Sequence, residues 1–190
     1  TEGEIYVLLQ TARGDFAVSE VDAPGGLHVV AGDFNADGLP DLAVARNSDL
    51  SMFLGNGTGG FTAAGASPLA LDRANDLAAG DVNGDGLTDV VVTGISGVNG
   101  RLEAWLSNGN AFIAGPAQNL TAEGFGVELG NLLGTASLDV VVGVDDGFTR
   151  IMTGDGTGAF IPSVSLTTIN PRSVALGNVE PEVLSSVAAR

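Results

Sequence analysis

The chain has 190 residues, 44% of them hydrophobic, a formal net charge of −16 and 29 glycines. That is enough apolar content for a globular core, and the glycine load argues for many turns and an all-β chain. There is no cysteine, which excludes disulfides and thiol chemistry, and the seven cations are all arginines in a strongly acidic chain. Such a surface repels phosphate backbones and anionic lipid, so no nucleic-acid partner is expected, and no apolar run reaches the ~20 residues of a membrane span.

In chain order, the first predicted elements are strands at Ile5–Leu9 and from Phe16 to Val21. The N-terminus lacks a basic-then-apolar leader pattern, so a mature or trimmed form is expected. A short apolar strand, Leu27–Ala31, then runs into Asp33-Phe34-Asn35-Ala36-Asp37-Gly38-Leu39-Pro40-Asp41. A continuous apolar strand (Leu42–Ala45) follows, then Ser51–Leu54, a glycine-rich turn (Gly55–Gly60) and a strand from Phe61. The lack of alternation in Leu42–Ala45 predicts burial on both faces.

The same order repeats. Asp76–Ala79 leads to Asp81-Val82-Asn83-Gly84-Asp85-Gly86-Leu87-Thr88-Asp89, then Val90–Thr93, Leu102–Leu106 and a strand from Phe112. Gly126–Leu129, Val140–Val144, Arg150–Thr153 and a strand from Phe160 form a third copy. Strands at Ser173–Leu176 and Leu184–Ala188 would open a fourth. The loop starts Asp33, Asp81, Asn131 and Asn178 are spaced by 48, 50 and 47 residues. Four short strands in about 48 residues are one propeller blade.

The predicted fold is therefore an all-β β-propeller of four-stranded antiparallel blades, a single unit over 1–190. It divides into an outer half-blade (1–26), full repeats at 27–75, 76–125 and 126–172, and an inner half-blade (173–190). The two halves could pair as a fourth blade, belong to a larger propeller, or be completed by a second copy in a homodimer.

The two acidic loops carry the chemistry. Asp33, Asn35, Asp37 and Asp41, and likewise Asp81, Asn83, Asp85 and Asp89, place oxygens at positions 1, 3, 5 and 9 of each loop. Glycine stands at position 6, and the carbonyls of Leu39 and Leu87 at position 7 are natural further ligands. Oxygen-only donors at this spacing suit a hard cation wanting six to eight oxygens, which points to Ca2+. No bidentate glutamate stands at position 12 and the flanks are strands, so the loops are not EF-hands. The third loop (Asn131, Leu133, Thr135, Asp139) and the fourth (Asn178, Glu180, Glu182, Ser186) have lost most of the pattern. Two structural calcium sites are expected, and a calcium loop of ordinary affinity fills spontaneously in an extracellular or cell-surface location.

The run Gly80–Val92, followed by a phenylalanine after a glycine-rich turn, resembles the FG-GAP and VCBS repeats. The resemblance implies the calcium-bearing β-propellers of integrin α subunits, lectins and bacterial surface proteins. It implies a non-enzymatic adhesion or recognition module with a glycan or protein ligand. Alternative readings are the propeller portion of a polysaccharide lyase or hydrolase, and an architectural fragment that assembles into a larger ring.

Other residues read as structure. His28 is the lone histidine, near a strand start. Tyr6 and Trp105 fall at matching third-strand positions near Phe53 and read as packing between blades. Asp145-Asp146 reads as a solvated turn, the Gly-Asn-Gly-Thr-Gly and Gly-Asp-Gly-Thr-Gly runs as hairpin turns, and Asn119 as part of a weak glycosylation sequon.

Overall fold

A computed structural model describes residues 4–46, 49–68, 71–169 and 171–177. These residues form fourteen strands and no helix. The first two, β1 (Ile5–Ala12) and β2 (Asp15–Val21), pair as an antiparallel hairpin. Three four-stranded meanders follow in strict chain order. The first blade is β3 (His28–Gly32), β4 (Asp41–Ala45), β5 (Asp49–Gly55) and β6 (Phe61–Pro68). The second is β7 (Arg73–Gly80), β8 (Asp89–Ser96), β9 (Asn99–Ser107) and β10 (Phe112–Leu120). The third is β11 (Gly124–Gly130), β12 (Asp139–Val144), β13 (Phe148–Gly154) and β14 (Phe160–Thr167). All pairings are antiparallel.

The second strand of each blade is sandwiched between neighbours. Every residue of β4 and β12 is buried, and β8 is buried from Asp89 to Gly94. Side chains alternate across a strand, so the two faces fill different cores. Leu42 and Val44 pack with Phe53 against the hairpin, while Ala43 and Ala45 join Val90, Val92 and Trp105 of the second blade. Val91, Leu102 and Ala104 then pack on Val140, Val142 and Met152 of the third. Three seams of one design thus join four units, and the uninterrupted apolar runs are their cause. No closed ring is seen among the described residues.

Two expectations are corrected. Ser173–Leu176 forms no strand, because a strand is defined by a hydrogen-bonded partner and none pairs with it among the described residues. It nevertheless lies where an inner strand belongs: a Cβ on Gly126 of β11 would stand 2.7 Å from Ser173 Cα, and one on Gly130 2.9 Å from Leu176 Cδ1. Asn178, Glu180, Glu182, Ser186 and the strand Leu184–Ala188 lie outside the described residues. The second correction concerns Tyr6. Phe53, Trp105 and Met152 are cross-strand partners of Leu42, Val90 and Val140, each two residues before the strand's last residue. Phe16, the counterpart of Phe61, Phe112 and Phe160, pairs with Gln10, which puts Leu8 and not Tyr6 at the matching position. Tyr6 is 52% exposed and donates from its hydroxyl to Glu4 at 2.5 Å.

Candidate metal centre

The bend between β7 and β8 holds Asp81, Asn83, Asp85, Leu87 and Asp89, and the bend between β3 and β4 holds Asp33, Asn35, Asp37, Leu39 and Asp41. Each loop winds its first three oxygen-bearing side chains onto its own amides. Asp81 accepts from the N–H of Gly84 at 2.6 Å and of Gly86 at 3.0 Å. Asn83 Oδ1 accepts from Asp85 N–H at 2.9 Å, its amide donates to Asp85 Oδ2 at 2.9 Å, and Asp85 Oδ1 accepts from Leu87 N–H at 2.8 Å. The first loop repeats this, with Asp33 accepting from Asp37 and Gly38 N–H and Asp37 from Leu39 N–H. Such Asx turns curl the backbone so that alternate side chains share one concave side. Left-handed residues complete the curl: Gly84 (φ 79°) and Gly86 (φ 88°) in one loop, Ala36 (φ 59°) and Gly38 (φ 82°) in the other.

Position 9 is different in kind. Asp41, Asp89 and Asp139 are fully buried. In each, Oδ2 accepts from the N–H at position 2 of its own loop: Phe34 at 3.0 Å, Val82 at 3.1 Å and Leu132 at 2.9 Å. Oδ1 accepts from the last residue of the third strand: Gly55 at 2.8 Å, Ser107 at 2.8 Å and Gly154 at 3.3 Å. The carboxylate therefore pins the loop to the blade even in the third repeat, where positions 3 and 5 carry no carboxylate or amide. This role was missed from sequence, although the aspartate surviving in an otherwise depleted loop was its signal. The third loop keeps a related course through Asn131, which accepts from Gly134 N–H at 3.0 Å and donates to Thr135 O at 2.6 Å.

The donor chemistry fits a calcium ion: only oxygens are offered, and carboxylates lie near enough to feel each other. Burial raises the Asp89 carboxyl above the ordinary range, the charges of Asp85 and Asp81 add to the rise, and the two N–H donors oppose it. A bound cation would supply the missing positive charge and join its binding free energy to folding. In the described geometry no group of three or more His, Cys, Asp or Glu side chains converges as a metal cluster, because position 9 is turned onto the backbone.

The arginines Arg46, Arg73, Arg101, Arg150 and Arg172 lie toward the opposite end of the blades, and each faces an acid: Asp49, Glu123, Glu103, Asp146 and Asp145. Asp145 and Asp146 lie in the turn after β12, with Asp145 exposed as expected, while Asp146 is in addition bound by Arg150 and Thr121, which hold its carboxyl down at about 2. Trp105 is buried and donates to Glu103 at 3.1 Å, consistent with packing between blades. His28 is half-buried at the start of β3, and Asn119 is exposed on β10. The glycine-rich runs are hairpin turns, closed by Asn56 and Asp155 accepting from N–H groups at Thr58 and Thr157.

Both loops fall inside one family match. Residues 33–92 match the family model of the FG-GAP-like repeat. The match begins at Asp33, the first residue of the first loop, and ends in β8, so it spans the first blade from its loop onward and the inner half of the second. No curated protein matches the chain. No helix among the described residues is long and apolar enough to cross a membrane.

Proposed function

We propose that the chain is a calcium-stabilised, non-enzymatic module for adhesion or recognition outside the cell, with a glycan or protein as ligand. The observation that carries this reading is the paired Asp-x-Asn-x-Asp-Gly loop within an FG-GAP-like repeat, curled so that acidic side chains crowd one side. Ca2+ at Asp33, Asn35, Asp37, Leu39 and Asp41, and at Asp81, Asn83, Asp85, Leu87 and Asp89, has a structural task. It relieves the repulsion among the carboxylates and fixes the hairpin between the first two strands of each blade. The net charge of −16 disfavours nucleic acid as a partner.

The test is thermal unfolding in calcium and in chelator. Saturation at 100 times Kd stabilises by about 2.7 kcal/mol per site, which raises Tm by roughly 5–10 °C for a chain of this size. Asp81→Ala with Asp85→Ala removes the second site's share. Unchanged melting of the parent protein between calcium and chelator would end the metal reading. Binding to a glycan array that is lost in chelator would support the recognition reading, and loss of all binding partners irrespective of calcium would count against it.

A further inference from the structure

The outer strands meet differently at the two seams between full blades. Between the first and second blades, Ser67 of β6 is buried and donates its hydroxyl to the Phe112 carbonyl. Gly65 lies so near the second blade that a Cβ on it would stand 2.8 Å from the Ala111 Cβ. Strand pairing puts Pro116 and Gln118 of β10 at these two positions in the next seam, since Ser67 is the partner of Leu50 and Gln118 of Leu102. The larger residues hold the second and third blades apart. A cleft of about 300 Å³ opens there between β10 and the outer half of the third blade, against about 160 Å³ at the matching place on the second blade. Both walls belong to residues 71–169, which are described without a break, so both are complete.

The cleft combines apolar surface with unused hydrogen-bonding groups. Leu120 and Met152 are its buried part, Pro162 and Val164 its exposed part. Gln118 reaches across from one wall to donate to Met152 Sδ at 2.7 Å, and a thioether is a weak acceptor. The Gln118 carbonyl oxygen and the side chains of Asn119 and Ser165 have no hydrogen-bond partner among the described residues. Arg150 adds N–H groups whose charge is already cancelled: Asp146 accepts from both ends of the guanidinium, and Thr121 Oγ1 accepts a third bond at 2.8 Å. No carboxylate lines the cleft itself. An anion would therefore meet a guanidinium that already has its counter-ion, and a cation would meet no free acid. Neutral amides and hydroxyls beside apolar side chains match a sugar ring, whose hydroxyls exchange hydrogen bonds and whose C–H faces pack on carbon.

We propose that this cleft binds a neutral sugar residue at the end of a glycan. Gln118 and Asn119 hydrogen-bond its hydroxyls, while Leu120 and Pro162 pack on its C–H face. The volume stands at the lower end of the ~300–1,000 Å³ of small-molecule sites, which suits one ring rather than a chain. The assignment rests on the recognition reading above and names its ligand class, but it uses no residue of the acidic loops.

The test is an NMR titration of the isotope-labelled protein, in calcium, with the methyl glycosides of glucose, galactose, mannose, fucose and N-acetylglucosamine. At least one is expected to shift the side-chain NH2 signals of Gln118 and Asn119 and to saturate. Ser165→Tyr fills the cleft from an exposed position and is expected to abolish the shifts with Tm unchanged. Gln118→Leu should weaken binding about tenfold, the loss of one hydrogen bond. Glucuronate should bind more weakly than the best neutral glycoside. A sugar that shifts only other residues, or that still binds Ser165→Tyr, overturns the cleft and leaves glycan recognition standing. Glucuronate binding more tightly than every neutral glycoside overturns the neutral ligand. A panel that moves no signal at all overturns both the cleft and the glycan part of the recognition reading.

Discussion

Ser107 donates its hydroxyl to the carbonyl oxygen of Phe34 across 2.6 Å, between residues 73 positions apart and in a buried setting. This bond lies in the middle of a longer chain. Asp41 accepts from Phe34 N–H, Phe34 O accepts from Ser107, Ser107 N–H donates to Asp89, Asp89 accepts from Val82 N–H, and Val82 O accepts from Gly158 N–H at 3.1 Å. Thr88 N–H adds a direct bond to Asp33 O at 3.2 Å. The loop ends of three blades are therefore laced into one unit, and both aspartate loops are part of it.

Removing the hydroxyl should loosen both loops together. Ser107→Ala leaves the Phe34 carbonyl buried without its donor, at a cost of about 1–3 kcal/mol. Hydrogen exchange in chelator checks it: protection should fall at Phe34–Asp41 as well as at Val82–Asp89. Loss confined to the second loop would mean that the lacing does not transmit.

The position-9 aspartates make a sharper separation possible. Asp139 performs the same pinning as Asp89 but in a loop without carboxylates at positions 1, 3 and 5. Asp139→Ala orphans three buried or half-buried N–H donors and is expected to lower stability by about 2–4 kcal/mol, equally in calcium and chelator. Asp89→Ala should cost at least as much, with an additional loss in calcium alone. Equal penalties for the two variants under both conditions would remove Asp89 from the ligand set.

Acid should weaken the opposite end of the blades. The folded-state value of Asp146 near 2 lies below its ordinary 3.8, so its ion pair with Arg150 contributes stability that is present above pH about 4 and lost as pH falls toward 2. The contribution is about 1–2 kcal/mol, since both side chains are mostly covered. Urea unfolding between pH 5 and 2 should show this slope in the parent and not in Asp146→Asn. Asp89 acts with the opposite sign in chelator. Its raised carboxyl makes the native state bind the proton more tightly, so that term falls as pH rises through the window between its unfolded and folded values.

Much of this architecture is written in local patterns. Leu42–Ala45 and Val140–Val144 are apolar at every position because both faces of a second strand are covered, and the aspartate loops are visible because their oxygen-bearing residues are close in sequence. What is hidden depends on distance or on register. Nothing in the sequence joins Ser107 to Phe34, since the hydroxyl could have faced water as well. The equivalence of Leu8 with Trp105 depends on strand register, in which Gln10 pairs with Phe16 as Gly55 pairs with Phe61. Ser173–Leu176 has the composition of an inner strand and takes its course, but composition cannot supply the ladder that makes one. The third loop looked like a degraded site, and its aspartate proved to serve the blade itself.

Position 4 of the loops offers a test that does not involve a ligand. Ala36 is the one non-glycine residue with positive φ among the described residues, at 59°, while Gly84 takes 79° at the same place in the second loop. An L-residue in this region is strained by roughly 1–2 kcal/mol, and glycine gives back part of that relief through its larger unfolded-state entropy, about 0.4–1 kcal/mol. Ala36→Gly is therefore expected to stabilise by about 0.5–1 kcal/mol, and Gly84→Ala to destabilise by a similar amount. A Cβ at Gly84 would meet nothing within 4 Å, so the loss comes from the backbone alone. Urea midpoints in calcium read both changes. Opposite shifts of comparable size would establish that the two loops share one backbone course, and a destabilised Ala36→Gly would show that the first loop bends in another way.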